Sequence, residues 1–160
     1  MIKFTIITCT YNAAAVLQRT LSSVLSQKYA DIEHLVIDGL SKDDTIRMAM
    51  DYKQRSDKMD DGHEVTIVSE KDCGLYDAMN KGIRLATGDY LIFLNAGDIF
   101  PGPETLETVA ASICDGEQLP GVLYGDTDIV DKDGHFLRHR RLCPPKKLSW
   151  RSFRWGMLVC

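Results

Sequence analysis

The 160-residue sequence lacks several features that would assign it to a common class of protein. It contains neither the G-x-G-x-x-G pattern of dinucleotide-binding domains nor the G-x-x-x-x-G-K-[ST] pattern of P-loop proteins. Its five cysteines are odd in number and form no C-x-x-C pair, which argues against a disulfide framework and a zinc site. No apolar run approaches the ~20 residues of a membrane-spanning helix. We therefore expect a globular protein of the cytoplasm.

Acidic residues are also missing from the end of the chain, although the whole chain has a net charge of −4. Residues 134–160 contain no Asp or Glu but seven Lys or Arg. These cations lie between residues 138 and 154 and are accompanied by the aromatic residues Trp150, Phe153 and Trp155. This segment suits an acceptor-binding surface, a peripheral contact with an anionic membrane face, or a packing segment with basic ends. The negative net charge argues against a nucleic-acid partner.

What is present is an alternation of strands and helices. Short apolar, β-branched runs at residues 4–9, 32–37, 65–68 and 89–94 indicate strands. Helical spacing of apolar residues follows the first three runs. This order predicts an α/β fold with a mostly parallel central sheet covered by helices.

Several local predictions accompany this pattern. Asn12 is the expected N-cap of the first helix, and the charged residues 53–63 are expected to form an exposed loop. The fourth strand is expected to be buried on both faces. An apolar stripe is expected to face inward from the third helix: Leu75, Met79, Ile83 and Ala86.

Polar side chains follow three of the predicted strands. Tyr11, Asp38 and Asp98 lie at or just beyond strand carboxyl ends, which meet at one edge of a parallel sheet and form its ligand crevice. Individually, each has an ordinary structural alternative: an edge-packing aromatic for Tyr11, and a turn or helix cap for either acid. Together they offer a surface for a base, a polar acceptor and a carboxylate for a metal. Without a glycine-rich loop, a nucleotide diphosphate would depend on metal and side chains.

Four motifs in order cover about the first hundred residues. They are residues 5–12 (TIITCTYN), 36–45 (VIDGLSKDDT), 74–83 (GLYDAMNKGI) and 88–98 (GDYLIFLNAGD). In these motifs the sequence resembles the family 2 glycosyltransferases of GT-A fold. The resemblance implies a Rossmann-like three-layer α/β/α domain and an inverting enzyme. It further implies a nucleotide-diphosphate sugar as donor and Mg²⁺ or Mn²⁺ as cofactor. The motifs are most similar to those of bacterial transferases of exopolysaccharide, capsule or O-antigen assembly.

The resemblance also implies roles for individual residues. Tyr11 and Asp38 would contact the base or ribose, and Asp98 would be the metal ligand. The full set expected to bind the donor is Thr10, Tyr11, Asn12, Asp38, Asp77, Lys81, Asn95 and Asp98. The sequence departs from the family where Asn95 begins an Asn-x-x-Asp element that retains one carboxylate. It departs again at Met79, where many relatives have Arg, so that Lys81 is the nearest cation. Asp77 and Lys81 are equally consistent with an i,i+4 surface pair.

Residues 1–100 are therefore expected to form the donor-binding half. Residues 101–160 would begin an acceptor-binding half that is truncated, with a hairpin about the turn at 131–134. Asp126 and Asp128 would either contact a glycan or lipid-linked acceptor or cap turns of the chain. The general base is expected beyond Cys160, so the catalytic residue is unknown, and the enzyme would work in the cytoplasm or at the inner face of the membrane.

Two other functions remain open from the sequence. A sugar nucleotidyltransferase shares this type of sheet but normally begins with a glycine-rich, basic loop that is missing between Cys9 and Leu17. A non-catalytic nucleotide-binding or scaffold domain is compatible with the reduced metal motif.

Overall fold

A computed structural model describes residues 1–59, 61–114, 119–123, 125, 127–131 and 134–140. The chain divides into two units, Met1–Ser112 and Ile113–Cys160. The elements of the first unit are β1 (Phe4–Thr10), α1 (Ala14–Leu25), β2 (Ile32–Asp38), α2 (Thr45–Met59), β3 (His63–Ser69), α3 (Leu75–Leu85) and β4 (Tyr90–Phe93). A further helix, α4 (Thr105–Cys114), contains the boundary between the units.

The first unit is built on a four-stranded sheet with the order β3-β2-β1-β4. Every pair of neighbouring strands in it is parallel. Each of the first three strands is followed along the chain by a helix, which returns the chain to the start of the next parallel strand. The predicted α/β fold with a mostly parallel central sheet is confirmed.

Helices cover both faces of this sheet. On β2, Val36 packs in one apolar cluster while its neighbours Leu35 and Ile37 pack in another, because successive side chains of a strand point to opposite faces. The cluster around Val36 also contains Leu17 of α1, Tyr52 of α2 and other buried residues of these helices. The cluster around Leu35 contains Ala78 of α3. Helices α1 and α2 therefore form one layer and α3 the other.

The outer strand β4 is less buried than the sequence predicts. Every residue of β1 and β2 is buried, as expected for interior strands of a parallel sheet. In β4, however, Leu91 is 40% exposed and Phe93 is 37% exposed. Within the part of the chain that the structure describes, β4 pairs with β1 on one side and with no strand on the other. The prediction that β4 is buried on both faces is therefore wrong for these residues.

The predicted loop at residues 53–63 is also wrong, because α2 continues to Met59. Tyr52 and Ser56 are both buried, and their spacing of four places them on the same face of the helix. Charged residues occupy the other faces of this stretch and conceal its helical period in the sequence.

Helix α3 packs through small residues and through only part of the predicted stripe. Leu75 is 51% exposed and Ile83 is 45% exposed, whereas Ala78 and Gly82 are buried. A Cβ atom at Gly82 would lie 2.6 Å from Cγ2 of Ile7 on β1. The small side chains allow α3 to approach the sheet closely. Met79 and Ala86 of the predicted stripe pack against the same cluster as Ala78, whereas Leu75 and Ile83 are left toward solvent.

The second unit contains β5 (Asp128–Val130) and β6 (Phe136–His139), which pair in antiparallel fashion. Gly134 in the connecting turn has a φ of 89°, a conformation that favours glycine, and the predicted hairpin is confirmed. The acidic residue Asp126 and most of the basic segment 138–154 lie outside the described residues. Among the residues that are described, no helix has the length and apolar character needed to cross a membrane.

Candidate functional site

A cavity of about 400 Å³ opens at the carboxyl ends of β1 and β2. Its walls come from the residues that end β1, the start of the β2–α2 loop, the β3–α3 loop and the first turns of α3. The lining residues are Cys9, Thr10, Tyr11, Gly39, Lys71, Asp72, Gly74, Leu75 and Ala78. The cavity occupies the edge where parallel α/β sheets bind ligands, and its volume is that of a small-molecule site.

Two of the eight predicted donor-binding residues, Thr10 and Tyr11, line this cavity. The Tyr11 side chain is 63% exposed and presents its ring to solvent at the cavity. The other six residues of the predicted set are not among the lining residues: Asn12, Asp38, Asp77, Lys81, Asn95 and Asp98.

Asp38 is held inside the protein by hydrogen bonds. It lies in register between Thr10 on β1 and Ser69 on β3, so the three side chains form a row across the end of the sheet. The hydroxyls of Thr10 and Ser69 donate to its carboxylate at 3.0 and 2.8 Å. Ser41 donates from its hydroxyl and, at 2.9 Å, from its backbone N–H. Burial acts to raise the pKa of Asp38, but the hydrogen bonds from Ser41, Ser69 and Thr10 outweigh it and the pKa is lowered.

The N-terminus of α1 is capped by side chains from the β2–α2 loop and from the first residue of α2. The N-cap residue is Ala13, not the predicted Asn12, and it makes no side-chain capping bond. Instead, the backbone N–H of Ala13 donates to Oγ1 of Thr45 at 2.8 Å. That of Ala14 donates to Oδ2 of Asp43 at 3.0 Å. These acceptors satisfy N–H groups that have no partner within the helix.

Asn12 connects the same two loops from the other side. Its backbone N–H donates to Oγ of Ser41 at 2.8 Å, and its side-chain oxygen accepts the N–H of Lys42 at 2.8 Å. Its φ of 49° is a left-handed conformation that asparagine tolerates better than most residues. The structure thus gives Asn12 a role in holding the loop that carries Tyr11.

Asp77 and Lys81 form the i,i+4 pair that the sequence permits, with 3.9 Å between Oδ2 and Nζ. Lys81 has closer partners: its ammonium group donates to the carbonyl oxygen of Lys71 at 2.7 Å and lies 3.1 Å from the carboxylate of Glu70. Asp77 accepts the backbone N–H of Cys73 at 3.0 Å. Both side chains therefore hold the β3–α3 loop, which contributes Lys71 to the cavity.

Asn95 and Asp98 belong to a turn that is attached to α1. The hydroxyl of Thr20 donates to the carbonyl oxygen of Asp98 at 2.8 Å and accepts the N–H of Gly97 at 2.8 Å. Gly97 has a φ of 100°, which a residue with a side chain rarely adopts. The Asp98 side chain is exposed, whereas Oδ1 of Asn95 is buried and has no hydrogen-bond partner among the described residues.

The oxygen atoms of this turn suit a hard divalent cation, because Mg²⁺ and Mn²⁺ prefer carboxylate and carbonyl ligands. Within the described part of the chain, however, no group of three or more His, Cys, Asp or Glu side chains is placed to hold a metal. A metal at Asp98 would therefore obtain most of its ligands from the phosphates of a bound nucleotide and from water. The residues fit such a shared site and do not form a complete one.

Lys71 and Asp72 are cavity residues that the sequence reasoning missed. They lie in a charged stretch directly after β3, where no motif marks them. The signal that could have found them is their position, since an acid just beyond a strand's carboxyl end also singled out Asp38 and Asp98. Asp72 affects the neighbouring thiol as well: burial first, and the negative charge of Asp72 second, raise the pKa of Cys9 to about 11.

The family described as Glycosyl transferase family 2 matches residues 5–159 of the chain. The chain belongs to glycosyl transferase family 2. The resemblance noted in the four sequence motifs is thereby confirmed.

Among curated proteins, a PGL/p-HBAD biosynthesis glycosyltransferase of Mycobacterium bovis is 41% identical over 124 residues, covering 77% of this chain and 46% of the relative. An uncharacterized glycosyltransferase of Mycobacterium tuberculosis is 42% identical over 105 residues, covering 63% of this chain and 36% of the relative. The chain thus spans less than half the length of these family 2 relatives.

Solved structures of similar fold include two glycosyltransferase complexes. TarS of S. aureus with UDP-GlcNAc has a TM-score of 0.60 and 25% identity, covering 71% of this chain and 31% of TarS. The mannosyltransferase PcManGT of Pyrobaculum calidifontis with GDP-Man and Mn²⁺ has a TM-score of 0.59 and 27% identity, covering 68% and 31%. The family 2 chain therefore has the GT-A type of fold that the sequence led us to expect.

Proposed function

We propose that this chain carries the donor-binding part of a glycosyltransferase of cell-envelope polysaccharide synthesis. The enzyme transfers a sugar from a nucleotide diphosphate to a glycan or lipid-linked acceptor. The observation that carries the proposal is the cavity at the carboxyl edge of the sheet, in which an exposed ring, a cation and a carboxylate lie together. Family membership supports it, as do the nucleotide-sugar complexes of two proteins with the same fold.

The lining residues divide naturally among the parts of such a donor. Tyr11 offers a flat face on which a base stacks, and stacking tolerates any base because every base has a π-face. Leu75 and Ala78 give the wall contributed by α3 its apolar character. Lys71 brings a positive charge that attracts a diphosphate. The cavity can therefore hold the nucleoside, with its diphosphate near Lys71.

The turn at residues 95–98 supplies the proposed metal ligands. Asp98 would hold Mg²⁺ or Mn²⁺ jointly with the donor diphosphate, and the amide oxygen of Asn95 is a second oxygen of suitable type. A metal held there would stabilise the negative charge that develops on the departing diphosphate. The Thr20 hydroxyl holds this turn in place through its hydrogen bonds with Gly97 and Asp98.

An inverting transfer also requires a base that removes the proton of the acceptor hydroxyl while the bond from the sugar to the diphosphate breaks. Asp72 lies in the cavity proposed for the donor. No described residue is assigned as the base that acts on the acceptor. Donor binding is accordingly the activity that the chain itself can be tested for.

Calorimetric titration with UDP, UDP-GlcNAc, GDP and GDP-Man tests the proposal directly. We expect binding that Tyr11→Ala weakens by roughly tenfold or more, because loss of one stacked base contact is of that order. Tyr76→Ala is the matched control, since Tyr76 is 76% exposed on α3 and does not line the cavity. Absence of binding by the unchanged chain, or equal losses in the two variants, would contradict the proposal.

A non-catalytic nucleotide-binding domain is the second candidate, and the incomplete metal site favours it. The two functions differ in their dependence on metal. For the transferase, Mn²⁺ strengthens diphosphate binding and Asp98→Ala removes that gain, whereas Asp51→Ala on the exposed face of α2 retains it. For the non-catalytic domain, binding is the same with and without Mn²⁺ and is unaffected by Asp98→Ala.

A further inference from the structure

Successive residues at the end of β2 face opposite sides of the sheet. Asp38 follows Val36 by two positions and shares its face, which is covered by α1 and α2. There it is fully buried, and its carboxylate accepts four hydrogen bonds from Thr10, Ser41 and Ser69. Asp38 therefore has no lone pair directed to the cavity. Gly39, the next residue, is the one that lines it.

Asp72 occupies the space that a side chain at position 39 would fill. A Cβ atom built on Gly39 would lie 2.5 Å from Oδ2 and 3.2 Å from Cγ of Asp72. The glycine thus allows a carboxylate from the β3–α3 loop to lie across the end of β2. The acidic group of the cavity comes from the loop after β3, although the sequence suggested the residue that ends β2.

The two oxygen atoms of Asp72 have different surroundings. Oδ1 accepts the backbone N–H of Gly74 at 2.9 Å, which fixes the orientation of the carboxylate. No ion pair joins Asp72 to a cation of the described residues, and Oδ2 receives no hydrogen bond from them. An oriented carboxylate with one oxygen available in a cavity is suited to accept a hydrogen bond from a ligand.

We propose that Asp72 determines the base specificity of the donor site by accepting a ring N–H of the nucleotide base. This inference rests on the proposed function and names the nucleotide class that the site takes. Uracil carries an N–H at ring position N3, and guanine carries one at N1 beside an exocyclic amine. Adenine and cytosine present a ring nitrogen lone pair at the corresponding edge, which a carboxylate repels. The site therefore selects donors with uracil, with thymine (which has the same N3–H) or with guanine over cytidine and adenosine diphosphates.

Binding constants for UDP, GDP, CDP and ADP, measured by calorimetry on each protein, test this assignment. For the unchanged chain we expect UDP, GDP or both to bind at least about tenfold more tightly than CDP and ADP, since the hydrogen bond involves a charged acceptor. Asp72→Asn keeps an oxygen for Gly74 but removes the charge, and it should bring the four affinities within about threefold of each other. These ratios do not depend on the fraction of protein that is folded.

Two further variants separate this role from general effects. Asp51→Asn removes the same charge on the exposed face of α2, outside the cavity, and should preserve the base preference. Gly39→Ala forces the Asp72 carboxylate from its position and should weaken UDP and GDP binding while CDP and ADP change little. Nucleotide binding whose base preference is unchanged in Asp72→Asn would overturn the role of Asp72 alone. Failure of every nucleotide to bind the unchanged chain would overturn the proposed function and this inference together.

Discussion

The stability of the chain should depend on pH through one buried histidine, His34 of β2. The Thr8 hydroxyl donates to the carbonyl oxygen of Leu94 at 2.8 Å, so it accepts from Nε2 of His34 at 2.9 Å. Nδ1 of His34 must then accept the hydroxyl of Tyr52, at 2.7 Å. Both ring nitrogens are satisfied in the neutral form, and a second ring proton would break the bond from Tyr52.

Burial, aided by the nearby His63, lowers the pKa of His34 from 6.5 to about 3. The unfolded chain therefore binds a proton at His34 more readily than the folded chain. The resulting stability is fully present above the unfolded pKa and is lost progressively as the pH falls from about 6.5 toward 3. Integrating this difference between about pH 7.5 and 4.5 gives a loss of about 3 kcal/mol in the free energy of unfolding.

Urea unfolding at a series of pH values, followed by circular dichroism, measures this quantity. His34→Gln removes the titrating ring, so its free energy of unfolding should be lower at neutral pH but should fall by about 3 kcal/mol less over the same range. His139→Gln is the matched control, because His139 is exposed on β6 and its contact with Asp128 is a surface pair that contributes little to stability, so most of the pH dependence of the unchanged chain should remain. Equal pH dependence in His34→Gln and the unchanged chain would show that His34 does not cause the loss of stability at low pH.

Two other substitutions test how the chain is held together. Thr20→Val should lower the free energy of unfolding by about 1–3 kcal/mol and reduce the gain in nucleotide affinity from Mn²⁺, because it leaves Gly97 N–H and the Asp98 carbonyl without their partner. Thr20→Ser retains the hydroxyl and should restore both properties in urea titration and calorimetry; a loss as large as that in Thr20→Val would exclude the hydrogen-bonding role. Gly82→Ala should destabilise the chain by about 1–3 kcal/mol despite alanine's higher helix propensity, because its Cβ would lie 2.6 Å from Ile7. A rise in the urea midpoint would show that α3 can move away from the sheet without cost.

The element order and the parallel sheet could be predicted from the sequence because they depend on features that are local in the chain. Apolar runs bounded by turn residues marked the strands, and a parallel sheet follows from their alternation with helices. The failures concern burial. Leu75 and Ile83 satisfied the helical period, yet Ala78 and Gly82 are the residues of α3 that are buried against the sheet. Close packing of α3 against β1 requires small residues at these positions, so larger apolar residues are excluded there. Periodicity indicates that a helix has a buried face, but it does not establish which residues form that face when their sizes differ.

The candidate site was predicted in its location and only partly in its residues. The position of a ligand site at the carboxyl edge follows from topology, and Thr10 and Tyr11 were named on that basis. The orientation of Asp38 depends on the register of three strands that are distant in sequence, which no local pattern encodes. Asp72 enters the cavity only because Gly39 has no side chain, and this is a relation between two loops that the sequence does not display.

The hydrogen bonds between the β1–α1 and β2–α2 loops at the start of α1 have a consequence for protein engineering. The loop that follows β1 and the loop that follows β2 supply each other's hydrogen-bond partners through Asn12, Ser41, Asp43 and Thr45. Neither loop is therefore an independent module that could be exchanged alone with the corresponding segment of a related enzyme. A chimaera intended to change donor preference would have to exchange both segments together. The two loops should therefore be treated as a single segment in the design of new donor sites.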